Sequence, residues 1–240
     1  MTHMTPAADR AYKVIITRFF RFAKGRECPL CGWTGFQFLP VKPGPFFRFD
    51  AKCPRCWSYE RHRLAYVLLK DELSKPLGRV LHFAPERPLA KWIATLASDY
   101  HTADISGARV RHKVDIQDMP FDSASFDLIW CSHVLEHVDD DAKAMREMRR
   151  VLRPGGKAIV QVPLWGERTV DERLNSDAER LTHYLQEDHV RLYGRDFAPR
   201  LEAAGFTVRT RTLDELPLQR VLRNALTGLA DSEIFVATAI

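Results

Sequence analysis

Cys28-Pro-Leu-Cys31 and Cys53-Pro-Arg-Cys56 are two Cys-x-x-Cys pairs separated by 21 residues. Each pair makes a tight knuckle that turns two thiolates toward one point, and four thiolates close a tetrahedral shell. Zn²⁺ suits such a shell because it accepts tetrahedral sulfur and brings no redox chemistry. Cys28, Cys31, Cys53 and Cys56 are therefore expected to hold one structural zinc ion, with no coordination position left open for catalysis. Two redox-active pairs fit less well, because neither opens a helix in a βαβ setting. An iron–sulfur site is a further alternative. Cys131 stands alone, and the whole distribution suits a reducing compartment better than a disulfide framework does.

A second constellation is His133-Val-Leu-Glu136-His137, whose polar residues share one face if the segment is helical. With His189 it would supply enough donors for a divalent ion. That reading competes with a packing role, and His137 and His189 are better read as general bases, since imidazole titrates near neutrality.

Charge is unevenly distributed. Of a net +5, residues 1–63 hold 12 Lys and Arg against 4 Asp and Glu, leaving the remainder net acidic. That excess points to an anionic partner, or simply to a small module kept soluble by its charge. Lys42, Arg48, Lys52 and Arg55 lie among aromatic residues, a mixture that suits nucleic acid, although so small a module needs most of its rings for a core. Mean hydropathy is −0.28. No apolar run approaches the roughly 20 residues that span a bilayer, and no secretory leader is evident, so a cytoplasmic protein is expected.

The elements that must position these residues follow from periodicity. Residues 11–26 mix apolar and basic types and are expected to form a short basic helix, with weak membrane-surface contact as a secondary role. RHRLAYVLLKDELSKPLG, with Leu64, Val67, Leu68 and Leu73 at helical spacing, reads as a helix ended by Pro76 and Gly78 that links the module to the body. From residue 79, RVLHF, YHTADI, VRHKVDI, FDLIWCS and KAIVQVP alternate with the helical stretches LAKWIATLAS and DDAKAMREMRRVL. The second helical stretch is stopped by Arg153-Pro-Gly-Gly. Strands alternating with helices argue for a parallel sheet covered on both faces. TVRTRTL and EIFVATAI, with no full crossover between them, suggest an antiparallel edge. The expected organisation is a basic helix and zinc module over 1–63 and an α/β domain over 64–240, with 163–195 covering an acceptor pocket.

The run from KVDIQDMPFDSASFD through HVLEH to RVLRPGG resembles class I S-adenosylmethionine-dependent methyltransferases of the small-molecule type, and the resemblance extends over about residues 79–240. It implies a doubly wound, seven-stranded, mostly parallel sheet with the last strand antiparallel. It also implies S-adenosylmethionine as cofactor, outside the carboxyl ends of the strands. On that resemblance Asp104 takes the ribose hydroxyls, Asp115 and Ile116 take the adenine, and Cys131, Ser132 and His133 line the methionine end. The family's glycine-rich first turn is replaced here by Phe83-Ala84-Pro85-Glu86, so Glu86 is expected to face the ammonium group while Ala84 lies at the turn. His189, Arg191 and Tyr193 match a segment that faces the acceptor. Arg61 and Arg63, behind the cysteine module, add to the case for an anionic small-molecule acceptor. The competing readings are an RNA methyltransferase that uses the basic module and a catalytically inactive binding protein of the same fold.

Overall fold

The computed structural model describes residues 25–42, 48–73, 76–172, 174, 176–184, 186–226 and 232–240. The expected basic helix at 11–26 lies outside them, except that Arg26 belongs to a strand. The chain forms two compact units, one of Met1–Lys70 with Leu213–Leu229 and one of Asp71–Thr212 with Ala230–Ile240.

In the first unit, β1 (Arg26–Glu27) pairs antiparallel with β2 (Thr34–Gly35), and β3 (Leu39–Val41) with β4 (Arg48–Lys52). These short hairpins are followed by α1 (Glu60–Leu69), begun where the Tyr59 backbone N–H donates to His62 Nδ1 at 3.1 Å. A small core forms around Cys28, Trp33, Phe38 and Cys53, and Ala225 packs into it.

The Arg63 guanidinium lies under this unit, fully buried. Nε donates to Asn224 O, Nη1 to Ala51 O and Ser58 O, and Nη2 to Asp50 O and Ala225 O. All five N–H groups of the fork are thus directed at backbone carbonyls. The expectation that Arg63 binds an acceptor gives way here, because no donor is left over for one. Arg61 is half-buried, its guanidinium 5.1 Å from the Tyr59 ring centre.

The second unit is built on seven strands: β5 (Arg79–Phe83), β6 (Asp99–Asp104), β7 (His112–Lys113), β8 (Phe126–Ser132), β9 (Leu152–Gln161), β10 (Phe206–Thr212) and β11 (Glu233–Ala239). Their order across the sheet is β10-β11-β9-β8-β5-β6-β7. β11 runs antiparallel to both β9 and β10, and the other pairings are parallel. The doubly wound sheet expected from alternation is present, with two adjustments. The antiparallel strand is interior rather than at the edge: β11 is almost wholly buried, as EIFVATA allows, while β10 alternates polar with apolar residues and takes the edge. VRHKVDI contributes only the two ladder residues His112 and Lys113, and Asp115 beyond them bridges to Asp118 in a turn.

The helices α2 (Arg87–Ala94), α3 (Asp141–Val151), α4 (Asp177–Tyr184) and α5 (Phe197–Ala203) belong to this unit. α3 buries Ala144, Met145, Met148 and Val151 at helical spacing and is capped where Asp140 accepts Lys143 N–H at 2.8 Å. It ends at Val151, and Arg153-Pro-Gly-Gly follows at the start of β9, with Gly155 at a φ of +77°. In the first unit α6 (Leu218–Asn224) completes the set. Among the described residues no helix is long and apolar enough to cross a membrane.

Candidate functional site

The strand order reverses at β5, which has β6 on one side and β8 on the other. Loops leaving the carboxyl ends of strands flanking such a reversal splay apart, which opens a crevice for a ligand. Ala84, directly after β5, takes a φ of +44° although it is not glycine. The missing glycine therefore does not prevent the left-handed turn; alanine adopts it at a cost of about 1–2 kcal/mol. Glu86 then precedes α2, and its Oε2 accepts the Ser132 hydroxyl from the end of β8 at 3.4 Å. This contact bridges the reversal.

Asp104 ends β6, half-buried, with its Oδ1 accepting the Ser106 N–H at 2.7 Å and hydroxyl at 2.5 Å. Asp115 is held by Gln117, whose backbone N–H reaches Oδ1 at 2.8 Å while its amide lies 3.2 Å from both oxygens. Ile116 is buried beside it. Cys131 and Ser132 are buried, and burial pushes the Cys131 thiol up, out of easy ionisation. His133 follows with a φ of +53°, its N–H donating to Gln161 O at 2.9 Å.

Two residues that hold this region escaped sequence reasoning. Glu147 on α3 accepts Met119 N–H at 2.9 Å, and Arg150 donates to Met119 O at 2.8 Å and Phe121 O at 2.7 Å. The pair grips the loop after Asp115 by its backbone. The only sequence signal was a Glu and an Arg three apart on a helix, which ordinarily marks a solvated face.

A short 3₁₀ turn at Leu135–His137, in place of the α-helix considered above, follows β8. Glu136 is fully buried with His133 Nδ1 3.1 Å from its Oε1, and neither carboxylate oxygen has a hydrogen-bond partner of good geometry. One ligand atom from each of Glu136, His137 and His189 lies within 4.8 Å of the others. The His137 and His189 rings meet edge to face, with centres 4.8 Å apart. Burial lowers the His189 pKa, opposed by the Glu136 charge.

Arg191 and Tyr193 were expected to face an acceptor; both are buried instead. Arg191 Nη1 donates to Leu135 O at 2.7 Å and to Val138 O, and Nη2 donates to Asp139 O at 2.9 Å. The Tyr193 hydroxyl donates to Asp141 Oδ2 at 2.8 Å, and burial holds its phenol well above the usual range. Both are turned toward the 135–141 segment, so they fix the turn that carries Glu136 and His137. Segment 163–195 is closed at its ends, with Trp165 N–H on Tyr193 O at 2.7 Å and Val170 paired to Leu192.

In the first unit the four cysteines converge. Cys28 and Cys56 Sγ lie 3.5 Å apart, and Cys31 and Cys53 Sγ 3.7 Å apart. A tetrahedral ion with Zn–S bonds of about 2.3 Å would hold its sulfurs about 3.8 Å apart, so the cluster fits that ion without rearrangement. The knuckles match: Gly32 N–H donates to Cys28 O and Trp57 N–H to Cys53 O, both at 2.9 Å, with φ of +69° at each donor residue. Hydrogen bonds within the cluster, that with Cys31 foremost, lower the Cys28 thiol to about 7.

Residues 85–160 match a family described as Methyltransferase domain. A protein of Mycolicibacterium smegmatis named "Probable S-adenosylmethionine-dependent methyltransferase" is 34% identical over 117 residues, covering 46% of this chain and 42% of that one. Residues 85–160 therefore resemble a methyltransferase domain. An S-adenosylmethionine-dependent methyltransferase from Mesorhizobium loti shares the fold, with a TM-score of 0.55 at 18% identity, covering 73% of this chain and 97% of that one. A Burkholderia thailandensis N1-methyltransferase solved with 1,6-didemethyltoxoflavin and S-adenosylhomocysteine has a TM-score of 0.51 at 15% identity, covering 75% and 78%. Matches span less than half the length of the first curated relatives. The seven-stranded sheet with its last strand antiparallel is what the resemblance implied.

Proposed function

We propose that the protein transfers a methyl group from S-adenosylmethionine to an oxygen or nitrogen of a small polar or anionic molecule. The observation that carries this reading is the constellation at the strand reversal, where Ala84, Glu86, Asp104 and Ser132 come from three adjacent strand ends. The residues fit the cofactor. The left-handed turn at Ala84 provides the backbone bend that the family makes with glycine. Asp104 keeps Oδ2 for ribose hydroxyls while Oδ1 serves Ser106, and Glu86 offers a carboxylate to an ammonium group. Asp115 accepts an adenine amine beside Ile116. Cys131, Ser132 and His133 border the methionine end.

Bound there, S-adenosylmethionine supplies a methyl carbon on sulfonium, open to displacement. An acceptor that took this methyl group would have a proton to lose. His137 and His189 offer imidazole lone pairs for that proton. Each of them donates Nδ1–H to a backbone carbonyl, Asp188 O at 3.0 Å and Tyr184 O at 3.2 Å. That leaves Nε2 as the base. The protein contributes mainly position: a reactant held in line gains what a free one loses in entropy.

The cysteine cluster is assigned a structural Zn²⁺ that holds the hairpins of the first unit. Incubating the protein with tritiated S-adenosylmethionine and either a small-molecule extract or ribosomal RNA tests the acceptor class. Label in the small-molecule fraction supports the reading. Label confined to RNA overturns it in favour of an RNA substrate, whose binding would weaken steeply with salt.

A further inference from the structure

A fully buried carboxylate with no good hydrogen bond is rare, because an uncompensated charge taken out of water costs several kcal/mol. Glu136 is such a group: it is 0% exposed and both oxygens lack a partner of proper geometry. Its immediate company is imidazole. His133 Nδ1 approaches Oε1 at 3.1 Å, and one ring nitrogen each of His137 and His189 lies within 4.8 Å of a carboxylate oxygen.

The tautomers of those two imidazoles are assigned by their neighbours. A carbonyl oxygen only accepts, so the Nδ1 atoms facing Asp188 O and Tyr184 O carry the hydrogens. Each Nε2 therefore presents a lone pair. A histidine that donates one ring N–H to a backbone carbonyl while offering the other nitrogen is the arrangement that surrounds bound metal ions. The surrounding structure is built to maintain it. Val190 N–H donates to Glu136 O at 2.9 Å, tying the stretch with His189 to the turn with Glu136. Arg191 clamps that turn through three carbonyls.

We propose that Glu136, His137 and His189 form a second metal site, holding one divalent transition ion through two imidazole nitrogens and a carboxylate oxygen. Two imidazoles with one carboxylate suit Zn²⁺, Fe²⁺ or Co²⁺ and disfavour Mg²⁺ and Ca²⁺, which take oxygen donors. Three protein ligands leave a coordination position open, unlike the closed four-thiolate shell. The open position takes an oxygen or nitrogen donor of a small molecule and lowers the pKa of that donor. With an ion in place, His137 and His189 no longer take a proton themselves; the bound donor ionises at the metal. A tetrahedral ion keeps N and O donors about 3.4 Å apart, so binding draws the three groups inward. The site stands whether or not the chain transfers methyl groups.

The test uses the full chain, exposed to a weak chelator to strip loosely held ions and then titrated with Co²⁺. The expected result is one equivalent giving visible ligand-field bands without the strong near-ultraviolet absorption of cobalt thiolate, which would instead report the cysteines. Affinity should fall about a hundredfold or more in His137→Gln and in Glu136→Gln, beyond the losses typical of outer-shell changes. His137 is one-third exposed, so the first variant keeps the test alive if the second fails to fold. Absence of such bands in the folded protein up to millimolar Co²⁺ overturns the proposal, as does unchanged binding in a folded variant.

Discussion

Glu147 on α3 accepts the backbone N–H of Met119 at 2.9 Å, tying the loop that carries Asp115 and Ile116 to the helix beside it. Its carboxyl is held below the ordinary glutamate range, first by the hydrogen bond with Arg150 and further by Met119, against some desolvation. A depressed carboxyl pKa contributes stability that is fully present above the unfolded value, about 4.3, and lost as pH falls through the lowered folded value. Thermal melts of wild type and Glu147→Gln should therefore differ by a constant amount above about pH 5.5 and converge toward acid. A gap that widens on acidification would count against this role.

Ala84 predicts a gain rather than a loss. Replacing it with glycine removes left-handed strain of about 1–2 kcal/mol and adds back roughly 0.4–1 kcal/mol of unfolded-state entropy. Ala84→Gly should stabilise the second unit by ~0.5–1 kcal/mol, and Ala84→Val should destabilise it. Denaturant midpoints measure both. A destabilised glycine variant would mean that the turn is not strained.

The cysteine cluster should hold one zinc ion, and Cys53→Ser should lose it. Limited proteolysis of that variant should cut within 25–59 while β5–β11 stay protected, because a closed site mainly stabilises the fold around it. Metal analysis showing less than half an equivalent in the wild-type protein after metal-replete expression would contradict the assignment.

Arg63 should behave as a structural residue. Lysine cannot reproduce the planar fork, so Arg63→Lys leaves several buried carbonyls without donors at about 1–3 kcal/mol each. The first unit should become protease-sensitive, with no change in the acceptor dependence of methyl transfer. A folded variant with a raised acceptor KM would instead restore the binding role.

How legible these features were depended on how local their causes are. The cysteine knuckles and the α3 stripe are written within a few residues, and their spacing alone was enough to place them. The interior position of β11 could not be read that way, because only pairing with β9 on one side and β10 on the other decides it. Arg191 was read as ligand-binding from the family resemblance and Arg63 from its charge behind the cysteine module; their actual partners are backbone carbonyls, those of Arg63 as far away in sequence as Asn224 and Ala225. The turn at Ala84 has no glycine in the sequence, yet its backbone takes the left-handed conformation regardless. Glu136, His137 and His189 show the mixture: the first two are neighbours in sequence, and the third arrives only through the closure of segment 163–195.

Calorimetric titration with S-adenosylhomocysteine tests the central claim most directly. The account predicts saturable binding at one site per chain, with affinity reduced about tenfold or more in Asp104→Ala, as the loss of a charge-assisted hydrogen bond of ~1.5–3 kcal/mol implies. A folded wild-type protein with no heat of binding, or a folded Asp104→Ala variant with undiminished affinity, would contradict the placement of the cofactor at the ends of β5, β6 and β8.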